Sequence, residues 1–318
     1  MIKSFFLLNI FCFFYYLLPA QNNAKYENVD VLVTNLGKLD SMSIADISQK
    51  LTTSFSTKEM KARAIFTWIA LNIDFDVKSQ KRNPDLDIDP MEILKKRAAT
   101  SKGFASLFQE MCSQSNIRCM VINGYTQIKC EDINNPSEEP NHYWNMIQLG
   151  NSNEQWYFVD VVKASGYLDN KQTIFIKSFN GNYFFPAISL FYQDHFPKNS
   201  AWLFGNGPKN LKDFYSLPII GSEAYAINMN NNMPSKGLIH AKINAPVSFS
   251  FKYDYKPLDA LYIIYKSGSK QSKPERINFD EENGVITFSY TFKKEDEISF
   301  TVIHNDRPII SYQIEISE

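Results

Sequence analysis

The apolar pattern of this chain changes period partway along, and that change limits the folds it can adopt. Ala62, Ile65, Phe66 and Ile69 recur at the spacing of one buried helical face. The helix with this face is predicted to begin at 56 or 57. Further helices are predicted at 43–51, 89–96 and 101–115, after an extended entry segment at 21–38. Strand-like runs follow at 119–125, 144–149 and 156–161. Helices followed by antiparallel strands predict an α+β domain.

The last third of the chain has a different pattern. After an Asn-rich tract at 228–232, expected to be flexible, short runs alternate apolar and polar residues, and Asn283-Gly284 is a hairpin signal. Seven strands are predicted, at 238–243, 247–254, 260–266, 276–280, 284–292, 297–304 and 308–316. This number and spacing favour an immunoglobulin-like β sandwich. The Cys-Trp-Cys pattern of antibody domains is absent. The predicted organisation is a leader at 1–20, an α+β domain at 21–227 and a sandwich at 228–318.

The N-terminus is typical of a secretory signal. Lys3 precedes an apolar run from Phe5 to Leu18, and Leu18-Pro19-Ala20 is a plausible cleavage site. We expect export to the periplasm, the cell surface or the medium, with a retained N-terminal anchor as the alternative. The sequence predicts no later membrane span, so no transmembrane segment is expected in the mature chain. With 33 basic and 34 acidic residues and no basic stripe, nucleic-acid binding is not expected either.

Cysteine and histidine usage bears on disulfides and metals. Once a leader containing Cys12 is removed, Cys112, Cys119 and Cys130 remain, an odd number that excludes a fully paired framework. A bond between Cys119 and Cys130 stays open. The sequence has no CxxC motif and no cluster of His with Cys or carboxylates, so neither a metal nor another cofactor is predicted.

Three separated residues suggest acyl-transfer chemistry. Ser101 stands at a predicted helix start, His142 opens an aromatic strand and Asp160 closes the next strand. A nucleophile, a base and a carboxylate that orients the base form the triad of acyl-transfer enzymes. The alternative for Ser101 is a helix N-cap, because its hydroxyl suits that position. The alternative for Asp160 is a structural carboxylate at the strand end.

These segments and their order resemble the transglutaminase-like superfamily, and specifically its kyphoscoliosis-peptidase-like branch, over residues 40–218. The resemblance implies a papain-like fold. It implies that the family's Cys falls on Ser101, its His on His142 and its Asp on Asp160. The segments that carry it are 61–69, 72–76, 92–97, 103–108, 124–125, 142–145, 156–160, 166–167, 194–197 and 202–203. Trp144 and Asn145 are predicted to bind substrate, with packing as the alternative for Trp144, and His195 in Asp194-His195-Phe196-Pro197 is interpreted as structural.

The replacement of the family's Cys by Ser weakens the predicted chemistry. A thiol beside His at a helix start ionises readily, its pKa falling from roughly 8.5 to as low as about 3.5. A hydroxyl is not ionised beforehand and needs a base during attack. Ala99 also replaces a favoured Gly, and Val162-Lys163 replaces a common Thr-Trp. Three departures around one site indicate relaxed catalytic constraint.

Three functional hypotheses follow. The first is an exported, catalytically degenerate protein whose cleft, lined by Ser101, His142, Trp144 and Asp160, binds a peptide or protein segment. The second is an active peptidase-like hydrolase or acyltransferase in which Ser101 attacks, His142 is the base and Asp160 orients it. The third is a cell-envelope scaffold without a functional cleft.

Overall fold

The structure is a computed structural model that describes residues 25–150, 155–169, 172–254, 257–267, 270–294 and 297–317. The predicted leader, residues 1–20, lies outside the described residues. Within the described ranges, no helix is both long and apolar enough to cross a membrane.

The helices and strands alternate irregularly in the first two thirds of the chain. The helices are α1 (Glu27–Leu36), α2 (Ile44–Thr52), α3 (Lys58–Asn72), α4 (Val77–Arg82), α5 (Pro90–Lys96), α6 (Ser101–Gln114), α7 (Val161–Ser165), α8 (Ile188–Asp194), α9 (Leu211–Tyr215) and α10 (Ser222–Ala226). The strands there are β1 (Asp74–Phe75), β2 (Ala98–Ala99), β3 (Arg118–Tyr125), β4 (His142–Gln148), β5 (Trp156–Val159), β6 (Gly166–Leu168), β7 (Phe175–Lys177), β8 (Phe196–Pro197) and β9 (Ile219–Ile220).

The predicted helices are present because their local signals are strong. The Ser43 side chain accepts from the N–H of Asp46 to cap α2, and Asp89 caps α5 before Pro90. The extended segment expected at 21–38 is wrong, because α1 occupies 27–36 and buries Val29 and Val33. A helix of this length is not stable alone, and its short apolar face stabilises it because it packs on α3.

An antiparallel four-stranded sheet in the order β5-β4-β3-β8 forms the centre of the first domain. Helix α6, which begins at Ser101, packs against β3 and β4, and β4 begins at His142. Gly124 lets β8 and the Trp144 ring lie close to the backbone of β3. A Cβ added at this position would lie 2.2 Å from the carbonyl oxygen of Phe196 and 2.5 Å from Trp144. The edge strand β8 therefore brings the preceding helix α8 and His195 close to the sheet.

The C-terminal region is the predicted β sandwich. Its strands are β10 (Asn230–Met233), β11 (Leu238–Lys242), β12 (Pro246–Lys252), β13 (Leu261–Ser267), β14 (Lys270–Gln271), β15 (Glu275–Ile277), β16 (Asp280–Glu282), β17 (Val285–Thr291), β18 (Glu297–His304) and β19 (Arg307–Ser317). One sheet has the order β10-β12-β17-β16, and the other contains β11-β19-β18-β13-β14. The sheets pack through Phe249, whose ring lies 4.7 Å from Phe300 and 5.6 Å from Tyr312.

Two details near the predicted boundary at 227/228 depend on long-range pairing. The 228–232 tract, expected to be flexible, instead contributes to β10, which pairs with β12. Strand β9 precedes the boundary yet pairs with β19 of the sandwich. The two regions are therefore joined by backbone hydrogen bonds as well as by the chain itself.

Candidate functional site

Ser101 is the first residue of α6, and its side chain does not cap the helix. The cap is Thr100, whose Oγ1 accepts from the backbone N–H of Gly103 at 3.3 Å. The N-cap interpretation of Ser101 is therefore wrong. Thr and Ser are both good capping residues, so adjacent hydroxyl residues leave a one-residue ambiguity that sequence does not resolve. Ser101 is fully buried.

Gln80 on α4 covers Ser101 and connects it to the strand that carries His142. Its Oε1 accepts from the backbone N–H of Ser101 at 2.8 Å and from the Ser101 hydroxyl at 3.2 Å. Its Nε2 donates to the carbonyl oxygen of Asn141 at 3.1 Å. A backbone N–H is only a donor and a carbonyl is only an acceptor, so these partners determine the orientation of the carboxamide. One side chain thus connects the helix start to the residue before His142.

His142 and Asp160 form a buried hydrogen-bonded pair. The Nε2 atom of His142 lies 2.7 Å from Oδ2 of Asp160. Asp160 directly follows β5 and caps α7, its Oδ1 accepting from the N–H of Lys163 at 3.0 Å. Burial alone would raise the pKa of Asp160, but His142 and His195 outweigh it and hold that pKa far below its usual range. Because Nε2 of His142 bonds Asp160, Nδ1 is the nitrogen left for a reacting group.

Trp144 and Asn145 lie on opposite faces of β4. Trp144 stacks behind His142 with ring centroids 6.1 Å apart and is buried. Asn145 is also buried, and its Nδ2 donates to the carbonyl oxygen of Ala105 on α6 at 2.9 Å. Trp144 therefore packs beside His142, whereas Asn145 joins β4 to α6. A direct substrate contact by either remains a prediction.

His195 lies against the His142–Asp160 pair, although its sequence segment indicated only a structural role. It follows α8, and its Nε2 lies 3.0 Å from the same Asp160 oxygen that bonds His142. Thirty-five residues separate His195 from Asp160 along the chain. No local spacing signals this approach, and the only hint in the sequence is the Asp194-His195-Phe196-Pro197 segment.

The expectation that histidines and carboxylates do not cluster is wrong. One nitrogen each of His142 and His195 and one oxygen of Asp160 lie within 4.8 Å of one another. The oxygen–nitrogen separations are 2.7 and 3.0 Å, hydrogen-bond distances shorter than the roughly 3.3 Å between ligand atoms around tetrahedral zinc. A carboxylate that accepts from two imidazoles accounts for this cluster. The absence of a metal cofactor remains a prediction.

A second buried carboxylate lies next to this cluster. Asp194 pairs with Lys163, whose Nζ lies 2.6 Å from Oδ2 of Asp194 and 3.0 Å from Oγ1 of Thr126. The hydroxyl of Tyr225 also donates to Asp194, at 3.0 Å. Although burial would raise it, the ammonium of Lys163 keeps the pKa of Asp194 low. The unusual Lys163 of the sequence therefore neutralises a buried acid beside the site.

The three cysteines of the described chain form no disulfide. Cys112, Cys119 and Cys130 are all free, which answers the open question of a Cys119–Cys130 bond. Sγ of Cys119 instead lies next to Cys112 and accepts from Nδ2 of Asn145 at 3.4 Å. Burial raises the pKa of Cys130 to about 12, so this thiol is protonated at neutral pH.

Residues 45–161 match the transglutaminase-like superfamily, a range that contains Ser101, His142 and Asp160 but ends before His195. The chain is 28% identical over 260 residues to human kyphoscoliosis peptidase, covering 77% of this chain and 38% of that protein. It is 28% identical over 220 residues to the mouse kyphoscoliosis peptidase, covering 66% and 33%. It is 23% identical over 216 residues to Hillarin of Drosophila melanogaster, covering 62% and 25%.

The chain thus spans about a third of the length of the human and mouse relatives. The resemblance drawn from the sequence segments is confirmed for the superfamily and for the branch. Residues 45–161 thus form a region that matches the transglutaminase-like superfamily, and the chain is similar to the kyphoscoliosis peptidases of that superfamily.

Proposed function

We propose that the chain is an exported, catalytically degenerate member of this superfamily, whose cleft binds a peptide or protein segment. In this proposal Ser101 stands at the position of the family's nucleophile and His142 and Asp160 at its base and orienting carboxylate. The observation that carries it is the Gln80 carboxamide, which bonds both the hydroxyl and the backbone N–H of Ser101.

The Gln80 contacts oppose catalysis in two ways. A serine nucleophile gives its proton to a base as it attacks, but the Ser101 hydroxyl donates to Gln80. A backbone N–H at the nucleophile commonly stabilises the oxyanion, but that of Ser101 donates to the same Gln80 oxygen. Each interaction must be broken before Ser101 can react. These contacts add to the lower intrinsic reactivity of a hydroxyl compared with a thiolate.

The same contacts support an amide-containing ligand. The N–H of Ser101 and the carbonyl of Asn141 offer one donor and one acceptor, and the Gln80 carboxamide satisfies both. A peptide segment carries amide groups with the same donor and acceptor. A bound peptide would therefore replace Gln80 in these two hydrogen bonds.

The intact His142–Asp160 pair favours a second candidate, an active serine hydrolase or acyltransferase. A hydrogen bond of 2.7 Å to a buried carboxylate orients the imidazole as catalytic triads require. In that candidate Gln80 leaves when substrate enters, and Ser101 attacks with His142 as its base.

A fluorophosphonate probe separates the two candidates. We expect no labelling of Ser101 above the level in a Ser101→Ala variant or in heat-denatured protein. Labelling that disappears in Ser101→Ala would instead establish the active hydrolase. A Gln80→Ala variant shows why Ser101 does not react. Labelling of Ser101 in this variant would mean that the Gln80 side chain blocks it, and continued lack of labelling would mean that the hydroxyl itself is unreactive.

Peptide binding is tested through a Ser101→Cys variant. Iodoacetamide alkylation of the introduced thiol reports whether the cleft is occupied, and mass spectrometry identifies the modified residue. We expect peptides enriched from a randomised decapeptide pool on the wild-type protein to slow this alkylation at least about threefold. Enriched peptides that leave the rate unchanged would contradict binding at this cleft.

Export is proposed from residues 1–20 alone. Expression of the full chain with a C-terminal tag, followed by N-terminal sequencing of the protein in each cell fraction, tests it. Cleavage after Ala20 supports the proposal, whereas an intact N-terminus in the cytoplasm contradicts it.

A further inference from the structure

One oxygen of Asp160 lies between two imidazole rings. Oδ2 is 2.7 Å from Nε2 of His142 and 3.0 Å from Nε2 of His195. The His195 side chain is fully buried and lies flat on Phe191, with ring centroids 3.8 Å apart and an interplanar angle of 3°. Trp144 contacts both imidazoles, at centroid distances of 6.1 Å from His142 and 5.1 Å from His195. Phe191 therefore covers one face of the His195 ring, and Trp144 packs against that ring edge to face, at an interplanar angle of 72°.

The partners of the two His195 nitrogens indicate where its proton lies. Nδ1 is 3.3 Å from the carbonyl oxygen of Phe191 and 3.6 Å from Oδ2 of Asp194. The Phe191 oxygen already accepts from the backbone N–H of His195 at 2.8 Å. The Asp194 oxygen already accepts from Lys163 and Tyr225. A neutral imidazole has one N–H, and the shortest contact is the one from Nε2 to Asp160.

We infer that His195 is a positioning residue that holds Asp160 by donating its Nε2–H to the same oxygen that receives Nε2–H from His142. Together with the N–H of Lys163 on Oδ1, the carboxylate then has three donors from three different segments. The inference rests on the proposed function only in taking His142 and Asp160 as the cleft's base and orienting carboxylate.

This arrangement has a direct consequence for His142. A carboxylate held from several sides does not rotate away from the imidazole that it orients. His142 is consequently kept with its proton on Nε2 and its Nδ1 lone pair directed away from Asp160. Without the His195 donor, Asp160 retains only His142 and the helix cap, and Oδ2 becomes free to move.

The charges around His195 are consistent with a neutral ring. Burial lowers the pKa of His195, and the ammonium of Lys163 lowers it further, against the opposing carboxylates of Asp160 and Asp194. The charged or titratable groups that face it are Asp160, Asp194, Lys163 and His142. Lys163 already compensates Asp194, so His195 need not be charged to balance that acid.

The test is nitrogen NMR on the full chain labelled with ¹⁵N-histidine. The sequence has four histidines, and each signal is assignable by a single substitution. In the wild-type protein we expect His142 and His195 both to carry the proton on Nε2, with His195 neutral at pH 7. A proton on Nδ1 of His195, or a charged His195 at pH 7, would overturn the inference.

Two variants distinguish positioning from mere packing. His195→Phe keeps an aromatic ring without a donor, and we expect exchange of the His142 Nε2–H with water to accelerate roughly tenfold as the hydrogen bond to Asp160 weakens. His195→Gln retains a donor and is expected to restore most of the protection. Unchanged exchange in His195→Phe would refute the role. If that variant does not fold, the wild-type tautomers and His195→Gln still decide the question.

The NMR experiment is independent of the chemistry at Ser101. If a fluorophosphonate labels Ser101 while both imidazoles are protonated on Nε2, the degenerate function fails and the role of His195 stands. If Ser101 is unreactive while His195 is protonated on Nδ1, the degenerate function stands and the role of His195 fails. Each proposal therefore fails on its own observation.

Discussion

Gln80 Oε1 lies 2.8 Å from the backbone nitrogen of Ser101 and 3.2 Å from its Oγ, so one side chain covers the start of α6. Gln80 itself is only partly buried, and it belongs to a helix of six residues. Exposure of Ser101 therefore requires the loss of the three hydrogen bonds that Gln80 forms with Ser101 and Asn141.

Removal of the Gln80 cover is expected to expose position 101. In the Ser101→Cys variant, an added Gln80→Ala substitution should raise the rate of iodoacetamide alkylation about tenfold, because the lost hydrogen bonds stabilised the closed state by about 1–2 kcal/mol. Gln114→Ala is the matched control, since Gln114 is exposed at the other end of the same helix and its Nε2 donates to Glu110 at 2.9 Å. Equal rates with and without Gln80 would show that it does not cover the site.

Loss of Lys163 is expected to destabilise the domain. Lys163→Met leaves the buried carboxylate of Asp194 without its ammonium, which should lower the free energy of unfolding by about 2–4 kcal/mol. The double variant with Asp194→Asn should recover part of this loss, because the uncompensated charge is removed. Denaturant unfolding of the single and double variants gives the coupling energy, and additive losses would contradict the ion pair.

The contact between the two regions is expected to depend on pH. Nδ1 of His304 lies 2.7 Å from Oε1 of Glu223, and Nε2 lies 3.3 Å from Oδ1 of Asp259. Although burial opposes the charged ring, these two carboxylates raise the pKa of His304. Its stabilisation is fully present below the unfolded pKa of about 6.5 and is lost as pH rises through the folded pKa.

Unfolding measured between pH 5.5 and 8.5 checks this sign. We expect the wild-type free energy of unfolding to contain a component that decreases with rising pH and that is missing in His304→Gln. His240→Gln is the control, because His240 is an exposed histidine of the same sandwich. Identical pH profiles for the wild type and His304→Gln would contradict the prediction.

Gly124→Ala is expected to disturb the junction of β3 and β8. The new Cβ would lie 2.2 Å from the carbonyl oxygen of Phe196, 2.5 Å from Trp144 and 2.8 Å from Cα of Pro197. Two of these atoms belong to backbone, so relief requires movement of the strand. We expect a loss of about 2–3 kcal/mol in thermal or denaturant unfolding. An unchanged midpoint would show that β8 is not held this tightly.

The elements predicted best are those whose signals are local. Helix α3, the caps Ser43 and Asp89 and most of the predicted sandwich strands appear where the sequence places them. The prediction of one buried face on α3 is wrong, because every residue from Ala62 to Ala70 is buried. The run predicted as one strand at 276–280 is divided between β15 and β16. The caps and the alternation that signal these elements involve residues close in sequence. Helix α1 was not predicted, because the burial of Val29 and Val33 that stabilises it depends on packing against α3.

The candidate site was predicted in part. Family segments indicated Ser101, His142 and Asp160, and the structure pairs the last two directly. Gln80, His195 and the ion pair of Lys163 with Asp194 were not predicted as site features. Gln80 is 21 residues from Ser101, and His195 is 35 residues from Asp160. Their positions follow from the packing of α4 and α8 around the sheet.

Residue type and short spacing are enough to predict the change from helical to strand patterns, the family segments and a hydroxyl residue at position 101. That Gln80 covers this hydroxyl and that Asp160 accepts from two imidazoles is seen only in the folded domain. Hydrogen bonds of this kind depend on ångström-scale distances between elements. Those distances are set by how the whole domain packs, which no local pattern records.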